Sequence, residues 1–357
     1  VHLQGPPRVR ELGGHDRRAA RRRGGLVRPD PIRAIADAVL YEGYILWPYR
    51  RSALKNQRRF TFGGVYPPAH SAGHPDDATT MQTEVLLRAA PDAQLELAVR
   101  FLHVIQRDVA RRHGKDLEPV DELIVGNERF LSWEEAAERE VRTAPLTLAE
   151  LQASVRIPIA VPAGSEQEEL PGGAGCLLRR WQELRGDVTA TARIIDDGVW
   201  RLTVVVANTT ECPPEITRQE ALAHTFCSTH TLLRVFGGGF VSLADPPPEL
   251  SDAAAGCRNI GTWPVPVGQP GDHGTMLSSP IILEDYPRVA PESPGDLFDG
   301  GEIDQLLILN ILAMTDEEKA EMAASDARAR EILERTESLS PEQLLALHGT
   351  VRELEVR

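Results

Sequence analysis

From residue 80 to about 285 the apolar and polar positions alternate mainly with period two, the spacing of half-buried strands. LELAVRFLHVI (95–105), VDELIV (120–125) and SVRIPIAVP (154–162) each read as a strand. DVTATARII (187–195) and WRLTVVVAN (200–208) flank Asp196, Asp197 and Gly198. They predict a hairpin, with Asp-Gly suited to a primed turn. HTLLRVFGGGFVSL (230–243) predicts a second hairpin around its three glycines. Helical spacing interrupts the alternation at WEEAAEREVR (133–142) and again over 216–228.

Outside that span the period changes. Ile32, Ile35, Ala36, Val39 and Leu40 follow helical spacing behind Asp30 and Pro31, predicting a helix over 30–43 that Pro48 brings to an end. Residues 59–65 read as a strand meeting Gly63 and Gly64, and 66–78 as a loop. Toward the C-terminus, Asp299 with Glu302 and Thr315 with Glu318 form capping-box spacings, and Ser340-Pro341 starts a further helix that Gly349 can close. These patterns predict an α+β protein with three parts. Residues 1–28 are a disordered basic leader, 29–298 a β-rich, antiparallel, sandwich-like body with short helices, and 299–357 a helical C-terminal section.

Charge sharpens this picture. The net charge of the 357 residues is −14, yet residues 1–28 carry eight arginines against Glu11 and Asp16, so the body is more acidic than the whole. An acidic body argues against nucleic acid as a partner, since phosphates need facing cations. The longest apolar run, LLILNILAM (306–314), contains Asn310 and is about half the length of a membrane span. Cys176, Cys212, Cys227 and Cys257 form no C-x-x-C pair, and no secretory apolar segment is visible, which together fit a reducing cytoplasm.

Candidate chemistry is sparse. There is no nucleophile elbow, no phosphate-binding P-loop and no dinucleotide glycine fingerprint. His224, Cys227 and His230 have H-x-x-C-x-x-H spacing, with Cys257 downstream. Imidazole and thiolate donors suit zinc or iron, while the alternative reading keeps Cys227 as a small buried apolar residue. His70 and His74 beside Asp76 and Asp77 form a second candidate metal group or a solvated loop. The densest mixture of rings and cations lies between Tyr41 and Pro67, with Tyr44, Trp47, Tyr49, Arg50, Arg51, Lys55, Arg58 and Arg59. Tyr, Trp and Arg dominate protein interfaces, so these residues, with Asp296 and Asp299 of the acidic segment 284–304, are candidate partner contacts.

Three stretches carry a family resemblance: LYEGYILWPYRRSALKNQRRF (40–60), GCRNIGTWPVPVG (256–268) and SSPIILEDYPRVAPESPGDLFDGGEIDQLLILNILAMTDEEK (278–319). Together they resemble a bacterial protein family encoded alongside actinobacterial-type, high-affinity nickel–iron hydrogenases. The resemblance implies a hydrogenase-associated accessory protein, more binding factor than enzyme. It would carry no resident cofactor and act on a hydrogenase subunit or maturation factor. It supplies no catalytic residues. The chain is unlike the hydrogenase subunits themselves, which need paired C-x-x-C motifs or many cluster-binding cysteines. A metal-binding protein or metalloenzyme built on His224, Cys227, His230 and Cys257 is the alternative.

Overall fold

The protein is described by a computed structural model over residues 10–11, 35–37, 40, 61–126, 128–287, 311, 314–325, 330, 333–334 and 336–338. In chain order the first strands are β1 (Arg10–Glu11), β2 (Thr80–His113), β3 (Asp116–Val120), β4 (Glu122–Val125) and β5 (Glu128–Leu131). Then come β6 (Trp133–Arg142), β7 (Leu146–Thr147), β8 (Val155–Val161), β9 (Gly164–Glu169) and β10 (Gly175–Trp181). The last are β11 (Leu184–Asp196), β12 (Val199–Asn208), β13 (Cys227–Val241), β14 (Trp263–Pro266) and β15 (Thr275–Ser279). Short helices punctuate them: α1 (Pro68–Ser71), α2 (Leu148–Leu151), α3 (Arg218–Ala221), α4 (Ser251–Ala255) and α5 (Asp316–Ser325).

Thirteen of the strands form one antiparallel sheet whose main path runs β14-β15-β13-β2-β12-β11-β8, and β4 with β5 makes a separate pair. β2 organises it. Its 34 residues pair along one edge with β12 over 80–88, then β7, β6 and β3. Along the other edge it pairs with β13 and then β10. The strand turns a corner where residues 90–93 stand opposite Gly237 alone, between the pairs Ala89–Gly238 and Gln94–Phe236. Pro91 is tolerated in this bulge because no ladder donor is required there. The Trp200 indole, fully buried, donates to the Ala89 carbonyl at 2.9 Å and holds the corner from beneath.

Leu95, Leu97, Val99 and Phe101 of β2 alternate into the main core. Ile157 of β8 and Met276 of β15, near opposite ends of the strand path, belong to the same apolar cluster, so the sheet curls onto itself around one interior. Phe101 and Phe226 meet there with ring centroids 4.7 Å apart.

Several expectations are corrected. The α+β, sandwich-like class gives way to a mostly antiparallel β protein with one large sheet. A helical C-terminal section is not shown. Among the described residues beyond 287 the longest element is α5, which Thr315 and Glu318 cap reciprocally at 3.3 and 2.7 Å. Met314 and Met322 pack there against Trp133. The Asp299–Glu302 and Ser340 starts lie outside the described residues. WEEAAEREVR is a strand, β6, paired with β2 from Ala98 to Arg107. Its helix-forming Ala and Glu residues are overruled by that ladder and by the ion pairs that its alternate charges make.

The stretch 230–243 is no hairpin either, because β13 runs straight through its glycines. Gly237 takes the left-handed region (φ 81°), and a Cβ on Gly238 would lie 2.5 Å from the Ala89 Cβ. These glycines therefore serve close strand approach. The predicted β11–β12 hairpin is present, closed by the Asp196–Val199 pair, with Gly198 as its left-handed residue. Helical structure over 216–228 is present as α3 and a 3₁₀ turn, Leu222–His224. In the predicted 30–43 helix, residues 35–37 and 40 are helical and Ile35, Ala36 and Leu40 are buried.

Candidate functional site

Tyr44, Trp47, Tyr49, Arg50, Arg51, Lys55, Arg58, Arg59, Asp296 and Asp299 lie outside the described residues. Of the two downstream signatures, residues 256–268, 278–287, 311 and 314–319 are described, and the first two of these segments meet. β14 lies in 256–268 and β15 extends into the start of 278–319. Trp263 pairs with Ser279, and Pro264 with Ser278. The Ser278 hydroxyl sits 2.8 Å from both Thr83 Oγ1 and Thr262 Oγ1, a buried chain of three hydroxyls. Tyr286 donates its N–H to the Pro266 carbonyl at 2.8 Å.

A clasp holds the preceding loop onto β2. Ile260 and Gln82 exchange backbone hydrogen bonds at 2.9 and 3.1 Å. Asn259 Oδ1 accepts from the Glu84 N–H at 2.8 Å, and the Glu84 carboxylate accepts from the Arg258 N–H at 2.8 Å. The residue types of the motif R-N-I-G-T thus have local structural work.

What this edge leaves outside is apolar: Ile260, Trp263 and Ile282 are 37, 44 and 73% exposed. β14 is the terminal strand of the path. Val267 donates to Thr275 on β15, so by alternation residues 264 and 266 turn their backbones outward. Both are prolines and offer no N–H, which blunts the edge against addition of another strand.

The His/Cys quartet is divided between two places. Cys227 is fully buried with Leu40, Tyr66, Leu102 and Val104. His224 is half-buried at the end of its 3₁₀ turn, and burial lowers its pKa. His230 is buried, with Nδ1 3.2 Å from the Ser228 carbonyl. Burial and the Arg100 charge push its pKa down to about 3. Cys257 packs instead against the cluster of Leu86, Val199, Val241, Leu250 and Ala254. Burial raises its thiol pKa. No cysteine is disulfide-bonded. Among the described residues no group of three or more His, Cys, Asp or Glu is arranged to hold a metal ion.

His70 and Asp77 do come together. His70 Nε2 is 2.9 Å from Asp77 Oδ2, both side chains are buried, and Arg218 grips the same carboxylate through Nε and Nη2. Burial raises the Asp77 pKa, but the hydrogen bonds and charges of Arg218 and His70 outweigh it and the net shift is downward. His74 stacks on His70 with centroids 4.1 Å apart, and the Arg218 guanidinium lies over Tyr66. This arrangement anchors the 66–78 loop to α3.

Sequence reading missed a buried charge network around Arg100. The Arg100 side chain bonds Asp37 at 2.5 Å and Glu138 at 3.4 Å, with Glu140 at 3.7 Å from its Nε. Arg142 holds the other Glu140 oxygen at 3.0 Å. The signal was present as charges on one strand face, Glu96 and Arg100 in β2 and Glu138, Glu140 and Arg142 in β6. Reading 133–142 as a helix hid the register that joins them. Among the described residues no helix is long and apolar enough to cross a membrane. No family model matches the sequence, and no curated protein matches it.

Proposed function

We propose that this chain is a non-catalytic accessory protein of a nickel–iron hydrogenase, binding a hydrogenase subunit or maturation factor in the bacterial cytoplasm. The observation that carries this reading is the junction of two resemblance-bearing stretches, 256–268 and 278–319, at the β14–β15 edge. Trp263, Ile260 and Ile282 stand exposed beside that junction. Exposed Trp is the residue type that most often anchors an interface. With Pro264 and Pro266 facing outward, the partner engages side chains and does not extend the sheet. Tyr44, Trp47, Tyr49 and the arginines of 50–59 would extend the same binding role.

Affinity purification of the tagged protein from cells expressing the hydrogenase tests this. Co-purification of a hydrogenase subunit or maturation factor is the expected result, and its absence under conditions that keep that complex intact would overturn the reading. A Trp47→Ala, Arg51→Ala variant tests the upstream stretch: recovery equal to wild type removes it from the interface. Metal analysis of protein purified without chelator addresses the alternative. One equivalent of zinc or iron, lost on His224→Ala and Cys227→Ala substitution, would favour a metal-binding protein.

A further inference from the structure

Three features of the β14 edge decide what can lie against it. The first is its backbone. Val267 donates inward to Thr275, so residues 264 and 266 are the positions that turn outward, and both are proline. The Pro266 carbonyl already accepts the Tyr286 N–H at 2.8 Å. From Trp263 to Val267 the strand therefore offers no outward N–H. The second feature is the chemistry of the exposed side chains. Ile260 and Ile282 are aliphatic, and Trp263 adds one ring. The third is a pair of exposed charges that flank these residues along the chain. Arg258 stands two residues before Ile260, and Glu284 two residues after Ile282. Arg258 is tied through its N–H to Glu84 on β2, whereas Glu284 lies just before Tyr286, which is tied to Pro266 at the end of β14. Among the described residues neither side chain is ion-paired.

We infer that the occupant of this edge is an amphipathic α-helix of the partner. Its apolar face sits on Ile260, Trp263 and Ile282, its N-terminal end lies toward Glu284 and its C-terminal end toward Arg258. The inference rests on reading the edge as the surface that binds a hydrogenase subunit or maturation factor. A strand does not fit, because strand addition exchanges N–H and C=O groups in alternation and this edge has no N–H to give. An extended proline-rich segment does not fit for a different reason. Such segments dock in grooves lined by aromatic rings, and two of the three exposed side chains here are isoleucine. A helix satisfies its own backbone and needs only apolar contact from residues at i, i+3, i+4 and i+7. Its partly positive N-terminus favours a neighbouring carboxylate and its partly negative C-terminus a cation. Glu284 and Arg258 supply these, which fixes the orientation.

The test replaces Trp263 in the full chain with the photocrosslinker benzoylphenylalanine and irradiates the complex with the co-purified hydrogenase subunit or maturation factor. The crosslinked partner segment is then made as a synthetic peptide. It is expected to carry apolar residues at helical spacing, to gain helical circular dichroism on binding, and to lose about tenfold or more in affinity when a central residue becomes proline. Arg258→Glu combined with Glu284→Lys keeps the net charge and reverses both ends of the surface. This double variant is expected to weaken the peptide about threefold or more while the circular dichroism of the free protein is unchanged. A segment that binds extended, or a proline variant that binds as tightly as its parent, would overturn the helix and leave the accessory role standing. So would a complex that forms yet yields no crosslink from position 263. Undiminished affinity in the double variant would overturn the orientation. If no subunit or factor co-purifies, the accessory reading itself fails, and this inference with it.

Discussion

Trp263 and Ser279 face one another across the outermost strand pair, and through that pairing the stretches 256–268 and 278–319 meet at one edge. The indole stays 44% exposed while Ser279 is fully buried. One side of the pair holds the edge in place and the other is presented to solvent. The hydroxyl chain behind it sets the first expectation. Ser278→Ala removes a group shared by Thr83 and Thr262 and leaves both buried hydroxyls short of a partner. A loss of about 1–3 kcal/mol is expected in urea denaturation, against nearly none for an exposed serine such as Ser165.

Acid sensitivity should come first from buried histidines. Burial and the Arg100 charge hold His230 at about 3, and burial with the Arg139 and His224 charges holds His103 at about 3. The backbone hydrogen bonds to Ser228 and Gln182 oppose these shifts without cancelling them. Both folded-state values lie below the unfolded value of about 6.5. The stability contributed by the neutral rings is therefore complete above pH 6.5 and is lost as pH falls from there toward 3. Each ring contributes a slope of about 1.4 kcal/mol per pH unit within that window. Urea unfolding at pH 7, 6 and 5 measures it. His230→Gln should flatten the slope by about half, and an unchanged slope would contradict the assignment.

The corner of β2 makes a sharper packing prediction. A Cβ on Gly238 would meet the Ala89 Cβ at 2.5 Å and the Arg88 carbonyl oxygen at 2.8 Å, neither of which is a flexible side-chain end. Gly238→Ala should destabilise by about 1–3 kcal/mol through overpacking. Gly73→Ala, where the nearest atom is 3.8 Å away, should change stability by no more than about 0.5 kcal/mol. Thermal melts of the two variants separate the cases.

Much of the fold was legible in the sequence wherever one strand face is apolar. Val188, Ala190 and Ala192 alternate with Thr189 and Thr191, and the β11–β12 hairpin follows directly. The reciprocal Thr315–Glu318 cap and the buried Ile35, Ala36 and Leu40 were readable for the same reason, because local spacing states them. β6 was not readable. Glu134, Glu135, Ala136, Ala137 and Glu138 favour a helix locally, and partners distant in sequence account for the charges: Gln219 for Glu134, Arg107 and Arg179 for Glu135, and Arg100 for Glu138. Gly237–Gly239 misled as well, since a glycine run that lets strands approach looks like a turn until the partner strand is known. For the His/Cys quartet, the spacing of His224, Cys227 and His230 suggested a ligand group, but a 3₁₀ turn ends at His224 and β13 begins at Cys227, and among the described residues no metal-holding group forms; nor could spacing place Cys257. Its α4-loop segment packs with Leu250 and Ala254 on another part of the sheet.

The most direct test of the proposed binding role is a dissociation constant for a purified hydrogenase subunit or maturation factor. It is measured by interferometry against wild type, Trp263→Ala with Ile282→Ala, and Ile194→Ala as an exposed apolar control on the β11–β12 hairpin. Truncating an anchoring Trp together with its neighbour should weaken binding by at least tenfold, about 1.4 kcal/mol. The control should stay within twofold of wild type. Equal affinities for all three proteins would contradict the account.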